Sequence, residues 1–143
     1  MKKWMAMPLL VGAGVMWVSA QAATHKDAEG LWLSQDQKGV VEFKSCADNA
    51  AWLCGTIVWD KDATKGKSTC GQTVAKLKKY EDEAWREGTA YDPRTKKNYK
   101  ATVRVEDAVT PKVLKLRAYI GTEALGQTEE MTKVASAPGP CIK

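Results

Sequence analysis

The sequence predicts an all-β protein, a barrel or sandwich of about eight short antiparallel strands. The first observation is a period of two after residue 29. Val41 and Phe43 alternate with Glu42 and Lys44; Tyr99, Ala101, Val103 and Val105 with Asn98, Lys100, Thr102 and Arg104; and Leu114, Leu116, Ala118 and Ile120 with Lys115, Arg117 and Tyr119. Successive side chains of a strand point to opposite faces, so each run has one buried and one wet face. The second observation is punctuation, because turn-forming clusters stand at 36–39, 48–49, 92–93, 107–111 and 121–126. The third is how short those links are. They suit hairpins, whereas parallel strands need long crossovers.

In chain order, strands are expected at 31–34, 40–45, 52–59, 74–80, 84–91, 98–105, 113–120 and 128–134. Residues 74–86 are the least typical, since alanine, lysine, leucine and glutamate suit a short helix nearly as well. Gly88 and Asp92-Pro93 follow so soon that two strands are the better reading. Residues 60–71 read as a polar loop, and 135–143 as a Pro-rich tail with no core of its own.

Residues 1–22 read as a secretory signal. Lys2 and Lys3 precede an uncharged apolar stretch from Met5 to Val18, and Ala20-Gln21-Ala22 offers small residues for cleavage. The apolar stretch is short for a ~20-residue spanning helix, so removal is expected, with no transmembrane anchor in the mature chain. No cysteine lies near the cut to take a lipid. The expected organisation is a flexible N-terminus at 23–29, one barrel domain at 30–134, and a tail at 135–143 pinned by a disulfide. The expected location is the periplasm or the medium.

Charge narrows the partners. Twenty-two Lys and Arg stand against 17 Asp and Glu, a formal net charge of +5 that weakens once Lys2 and Lys3 are removed. The signs alternate along the chain and no recognised module accompanies them, so no nucleic-acid partner is expected. The chain suits a single domain, expected as a monomer.

All four cysteines follow the signal, where an oxidising compartment lets them pair. If Val41 and Phe43 face inward, Cys46 faces outward; if Leu53 and Ile57 face inward, so does Cys54. Both then project from one side of a hairpin, as a bridge requires. Of the three possible connectivities, Cys46–Cys54 leaves Cys70–Cys141, which ties the tail to the polar loop. Zinc-type paired spacings are missing. Asp60-x-Asp62-x-Thr64 fails as a calcium loop, because Lys65 and Gly71 stand where glycine and a bidentate acid belong.

Several short motifs fall in a familiar order. They are Gly30-Leu31-Trp32, Cys46 followed by Leu53-Cys54-Gly55, Gly88-Thr89-Ala90-Tyr91-Asp92-Pro93, Lys97-Asn98-Tyr99, and Leu125-Gly126-Gln127-Thr128. From residue 30 to 134 the chain resembles the domain-of-unknown-function 2147 family (DUF2147) of small exported bacterial proteins. The resemblance implies a lipocalin-like β-barrel and brings no established activity. Cys70 and Cys141 have no counterpart in that pattern.

Candidate ligand contacts are the aromatic residues Trp32, Trp59, Trp85, Tyr91 and Tyr99, on different strands, which a small barrel is able to converge on its interior or mouth. The plainer reading makes them core. Asp92 and Lys97 flank one hairpin turn, where a scaffold presents polar groups; the plainer reading there is turn chemistry. Enzymatic constellations are scarce: His25 is the only histidine and precedes the first strand, and no Gly-rich phosphate loop is visible.

The expected role is noncatalytic binding of a small apolar or amphiphilic molecule or an envelope component. A structural or protein-interaction module with a filled core is the second reading, and an enzyme the third. No cofactor is expected. A cut after Ala22 would place His25 third, so that its imidazole, the Ala23 amine and two amide nitrogens fit incidental Cu(II) or Ni(II).

Overall fold

The computed structural model describes residues 12–15 and 24–143. The expected signal segment lies outside the described residues except for 12–15, and so does Ala23. The strands are β1 (Gly30–Leu33), β2 (Gly39–Ser45), β3 (Leu53–Asp60), β4 (Thr73–Leu77), β5 (Lys79–Glu81), β6 (Ala84–Asp92), β7 (Lys97–Glu106), β8 (Val113–Tyr119) and β9 (Gln127–Val134), with one 3-10 turn at Glu123–Leu125. Neighbours pair antiparallel in chain order, β9 returns to β1 at Leu31↔Val134, and β4 meets β6 at Ala75↔Ala90. Eight strands thus close into a barrel, and β5 pairs only with β6.

The strand expected at 74–80 is interrupted at Lys78, whose N–H donates to the Arg86 carbonyl at 3.1 Å. Ala75 opposite Ala90 and Tyr80 opposite Trp85 lie on one continuous register with β6. The break comes where β4 leaves β3, its last partner being Leu53↔Leu77. Asp82 and Glu83, with φ of 52° and 58°, form the two-residue turn into β6. Positive φ at both positions is what the twist of a tight hairpin demands.

Inward positions fill the barrel axis. Trp32, Phe43, Leu53, Leu77, Val103 and Leu114 are each under 2 % exposed, and burying such a side chain stabilises by roughly 1.5–3 kcal/mol. Two glycines make room for them. A Cβ on Gly55 would meet the Phe43 ring at 2.8 Å, and one on Gly88 would meet the Leu77 side chain at 2.8 Å.

Residues 24–29, expected as a flexible lead-in, are instead packed into one end of the barrel. Ala28 is 1 % exposed, the Trp32 indole donates to the Ala28 carbonyl at 2.9 Å, and the Trp85 indole donates to the His25 carbonyl at 3.1 Å. Two buried indole N–H groups need acceptors, and the segment's backbone supplies them. Lys133 stands 4.7 Å over the Trp32 ring and donates to the Glu29 carbonyl. Its burial there, with Lys112 nearby, lowers its pKa from the ordinary lysine value.

Cys46 is bonded to Cys54 and Cys70 to Cys141, with Cα separations of 4.9 and 5.6 Å. Cys54 is opposite Lys44, and the Cys46 N–H donates to the Trp52 carbonyl. The two cysteines are therefore diagonal neighbours on one face of the hairpin. The second bridge carries the tail back along the outside, where Gly139 lies against the Trp59 indole and Lys143 against Gly71.

Candidate functional site

At the end sealed by residues 24–29, the β2–β3 connection, β5 and the start of β6 enclose a groove of about 400 Å³. Its working surface is His25, Lys26, Glu29, Trp52, Tyr80 and Trp85. The tight turn at Asp82-Glu83 folds Tyr80 back opposite Trp85, and the rings meet edge to face at 5.5 Å and 63°. His25 continues the row, 6.1 Å from Tyr80 at 64°. Such geometry is the favoured one for aromatic pairs.

The rim carries both signs. Lys76 and Lys78 hold their ammonium groups 5.5 and 5.0 Å from the Trp52 ring centre, and Lys76 also pairs with Asp48 at 3.1 Å. That hydrogen bond lowers the Asp48 pKa from its ordinary value. Burial, reinforced by Glu83, Asp27 and Asp107, raises the Tyr80 pKa, so its hydroxyl stays protonated at neutral pH. A groove with flat rings on its walls and opposite charges on its rim grips an apolar body and orients polar ends. Ser45 also lines it.

The residues nominated from sequence do not converge. Trp85 lines this groove, whereas Trp32 is sealed in the core beneath Ala28. Trp59 pairs with Val40 and lies under the tail, outside the core cluster. Tyr91 lines a shallower groove of about 380 Å³ on the β4–β6 seam, with Thr73, Lys76, Thr89 and Asn98. Tyr99 pairs with Ala90 and is half-buried. Asp92 and Lys97 face each other at the β6–β7 turn, at the end of the barrel away from the aromatic groove. Asp92 accepts from the Arg94 N–H at 2.9 Å, which is turn chemistry. Lys26, Glu29, Trp52 and Tyr80 are the groove residues that sequence reasoning missed.

At that other end Arg94 reaches Asp36 at 3.7 Å and Asp92 at 3.8 Å. Hydrogen bonds from Ser34 and Lys38 lower the Asp36 pKa from its ordinary value. Glu129 stands nearby on β9, and burial raises its pKa from the ordinary glutamate value. Among the described residues, Cys46, Asp48 and Cys54 form the one group of potential metal ligands within 4.8 Å, and both sulfurs are already bonded to each other. The Cu(II) or Ni(II) arrangement at His25 needs Ala23, which lies outside the described residues.

The barrel has a relative among solved structures. "Protein HP1028 from the human pathogen Helicobacter pylori belongs to the lipocalin family" is similar at a TM-score of 0.58 and 17 % identity, over 76 % of this chain and 83 % of that one. At that identity the likeness shows the fold, a lipocalin-like barrel. No curated protein matches the chain at a significant level. The model of a family described as "Uncharacterized protein conserved in bacteria (DUF2147)" matches residues 30–133, the whole barrel from Gly30 to Lys133, and the chain belongs to that family.

Proposed function

We propose that this is an exported periplasmic protein that binds a small amphiphilic molecule, or a component of the envelope, without catalysis. The observation that carries the reading is the row His25–Tyr80–Trp85, which lines the groove at the sealed end together with Trp52. The occupant that suits it has a flat or chain-like apolar body for the rings and polar ends for Lys26 and Glu29. The axis of the barrel is filled, so the groove replaces the interior as the place of binding.

Native mass spectrometry of the purified protein, followed by titration with an anilinonaphthalene sulfonate probe, tests this. Trp52→Ala at the half-exposed rim should weaken probe binding about tenfold, and Lys115→Ala on the outer wall should not change it. Equal loss in both variants, or no saturable binding in the parent, overturns the reading. The filled axis favours a second reading, a structural or protein-interaction module of the envelope, and absence of saturable binding would leave that one standing.

A further inference from the structure

The two ends of the barrel carry opposite charge. Connections at the groove end hold Asp27, Glu29, Asp48, Asp82, Glu83 and Asp107 against Lys26, Lys78 and Lys112. The connections at the other end hold Lys38, Lys61, Lys65, Lys67, Arg94 and Lys96 against Asp36, Asp62 and Glu123, with Asp60, Asp92 and Lys97 at the strand ends beside them. Of these cations, Lys61, Lys65, Lys67 and Lys96 are exposed and make no ion pair among the described residues.

The basic end also bears an aliphatic tip. Ile120 and Leu125, in the β8–β9 connection, are 74 % and 81 % exposed. Both belong to that one connection, five residues apart, with Leu125 closing the 3-10 turn at Glu123–Leu125. Their exposure is not slack in the loop. Arg117 donates to the carbonyls of Glu123 and Ala124 at 2.9 and 3.1 Å, and Arg104 pairs with the Glu123 carboxylate. Single exposed aliphatics such as Val109 are ordinary; two held in one ordered connection, at the end that also carries the unpaired lysines, give that end two attractions.

We propose that this end of the barrel docks on an anionic lipid bilayer. Ile120 and Leu125 enter the boundary between headgroups and acyl chains, while Lys65, Lys67 and Lys96 face the phosphates. Neither signal holds a protein at a membrane alone, and their coincidence at one end is what makes a reversible anchor. A second copy joined tip to tip is a poor occupant, because the basic ends would meet like to like. Docking in this sense leaves the aromatic groove at the far end facing water.

The test is co-sedimentation with phosphatidylcholine vesicles, with and without phosphatidylglycerol, at low and high salt. Because Met5–Val18 is itself apolar, every variant is compared with the same sequenced N-terminus. The protein should partition onto the anionic vesicles at least about tenfold better than onto neutral ones, and less as salt rises. Ile120→Asp with Leu125→Asp should lower that partition about tenfold or more with thermal unfolding unchanged. Lys65→Glu with Lys96→Glu should lower it too, and Val109→Asp at the opposite end should not. Equal binding to neutral vesicles, no binding to anionic ones, or an unaffected double-aspartate variant overturns the proposal. So does a dimer in sedimentation equilibrium that the double-aspartate variant abolishes, which would give the tip to a second copy.

Discussion

Trp85 donates its indole N–H to the carbonyl oxygen of His25 at 3.1 Å, across 60 residues of chain. One bond thereby joins the lead-in segment to the wall of the groove, and the aromatic row exists because both partners are held. Replacing Trp85 by Phe keeps much of the apolar body and removes the donor. The change should lower stability by about 1 kcal/mol for the bond, plus a contribution from the smaller ring. Amide hydrogen exchange should speed up at residues 24–29 before it does in β7 or β8. Unchanged protection in that segment would show that Ala28 and Trp32 hold it without help.

Much of the barrel is legible because one wall of each strand is wet, which leaves a period of two in the sequence. The hairpin bridge is legible for the same reason, since parity puts Cys46 and Cys54 on one face. Parity fails at Trp59. By alternation from Leu53 and Ile57 it belongs inside, but a bulge lies between Val40, which pairs with Trp59, and Val41, which pairs with Ile57. One extra residue reverses the face of everything beyond it. The groove was hidden for other reasons. Residues 24–29 are too few to show a period, and Tyr80 sits in a stretch whose composition suits a helix. Its strand state comes from tertiary pairing with β6, which overrides local propensity.

The two bridges should differ in worth. Cys46–Cys54 closes a separation of 8 residues and Cys70–Cys141 one of 71. On the loop-entropy argument, serine replacement of the first pair lowers stability by about 2–3 kcal/mol and of the second by about 4 kcal/mol. Denaturant titration of the two double variants measures the order. Peptide mapping without reduction should return both links, and a peptide joining Cys54 to Cys70 would overturn the pairing.

A cut after Ala22 places His25 third, and the liberated chain should then take up Cu(II) through four nitrogens. The Thr24 N–H is held by the Asp27 carboxylate at 2.5 Å, so the metal must displace that bond as well as the proton. Uptake should therefore strengthen as pH rises. N-terminal sequencing comes first, then copper titration followed by visible absorption. A spectrum that persists in His25→Ala, or a mature chain starting at Thr24, rules the site out.

Glu129 offers a test of pH dependence. It lies half-buried opposite Leu116, with Asp36 and Asp92 nearby. Burial is the main cause of its raised pKa; the two aspartates add to it, while a backbone hydrogen bond from Gln35 and the charge of Arg94 oppose it. A carboxyl whose folded pKa exceeds its unfolded one holds its proton more tightly in the folded state. Its stabilising contribution is complete below the unfolded pKa and is lost as pH rises through the folded one. Above that folded pKa the native chain therefore carries a charge in a place that disfavours it. Glu129→Gln keeps the shape and an acceptor for the Gln35 N–H and removes that charge. The variant should melt above the parent at neutral pH, and the gap should shrink as pH falls below the ordinary glutamate range. Melting curves across that span decide it: a gap that stays constant would mean the substitution acts through packing rather than through a proton.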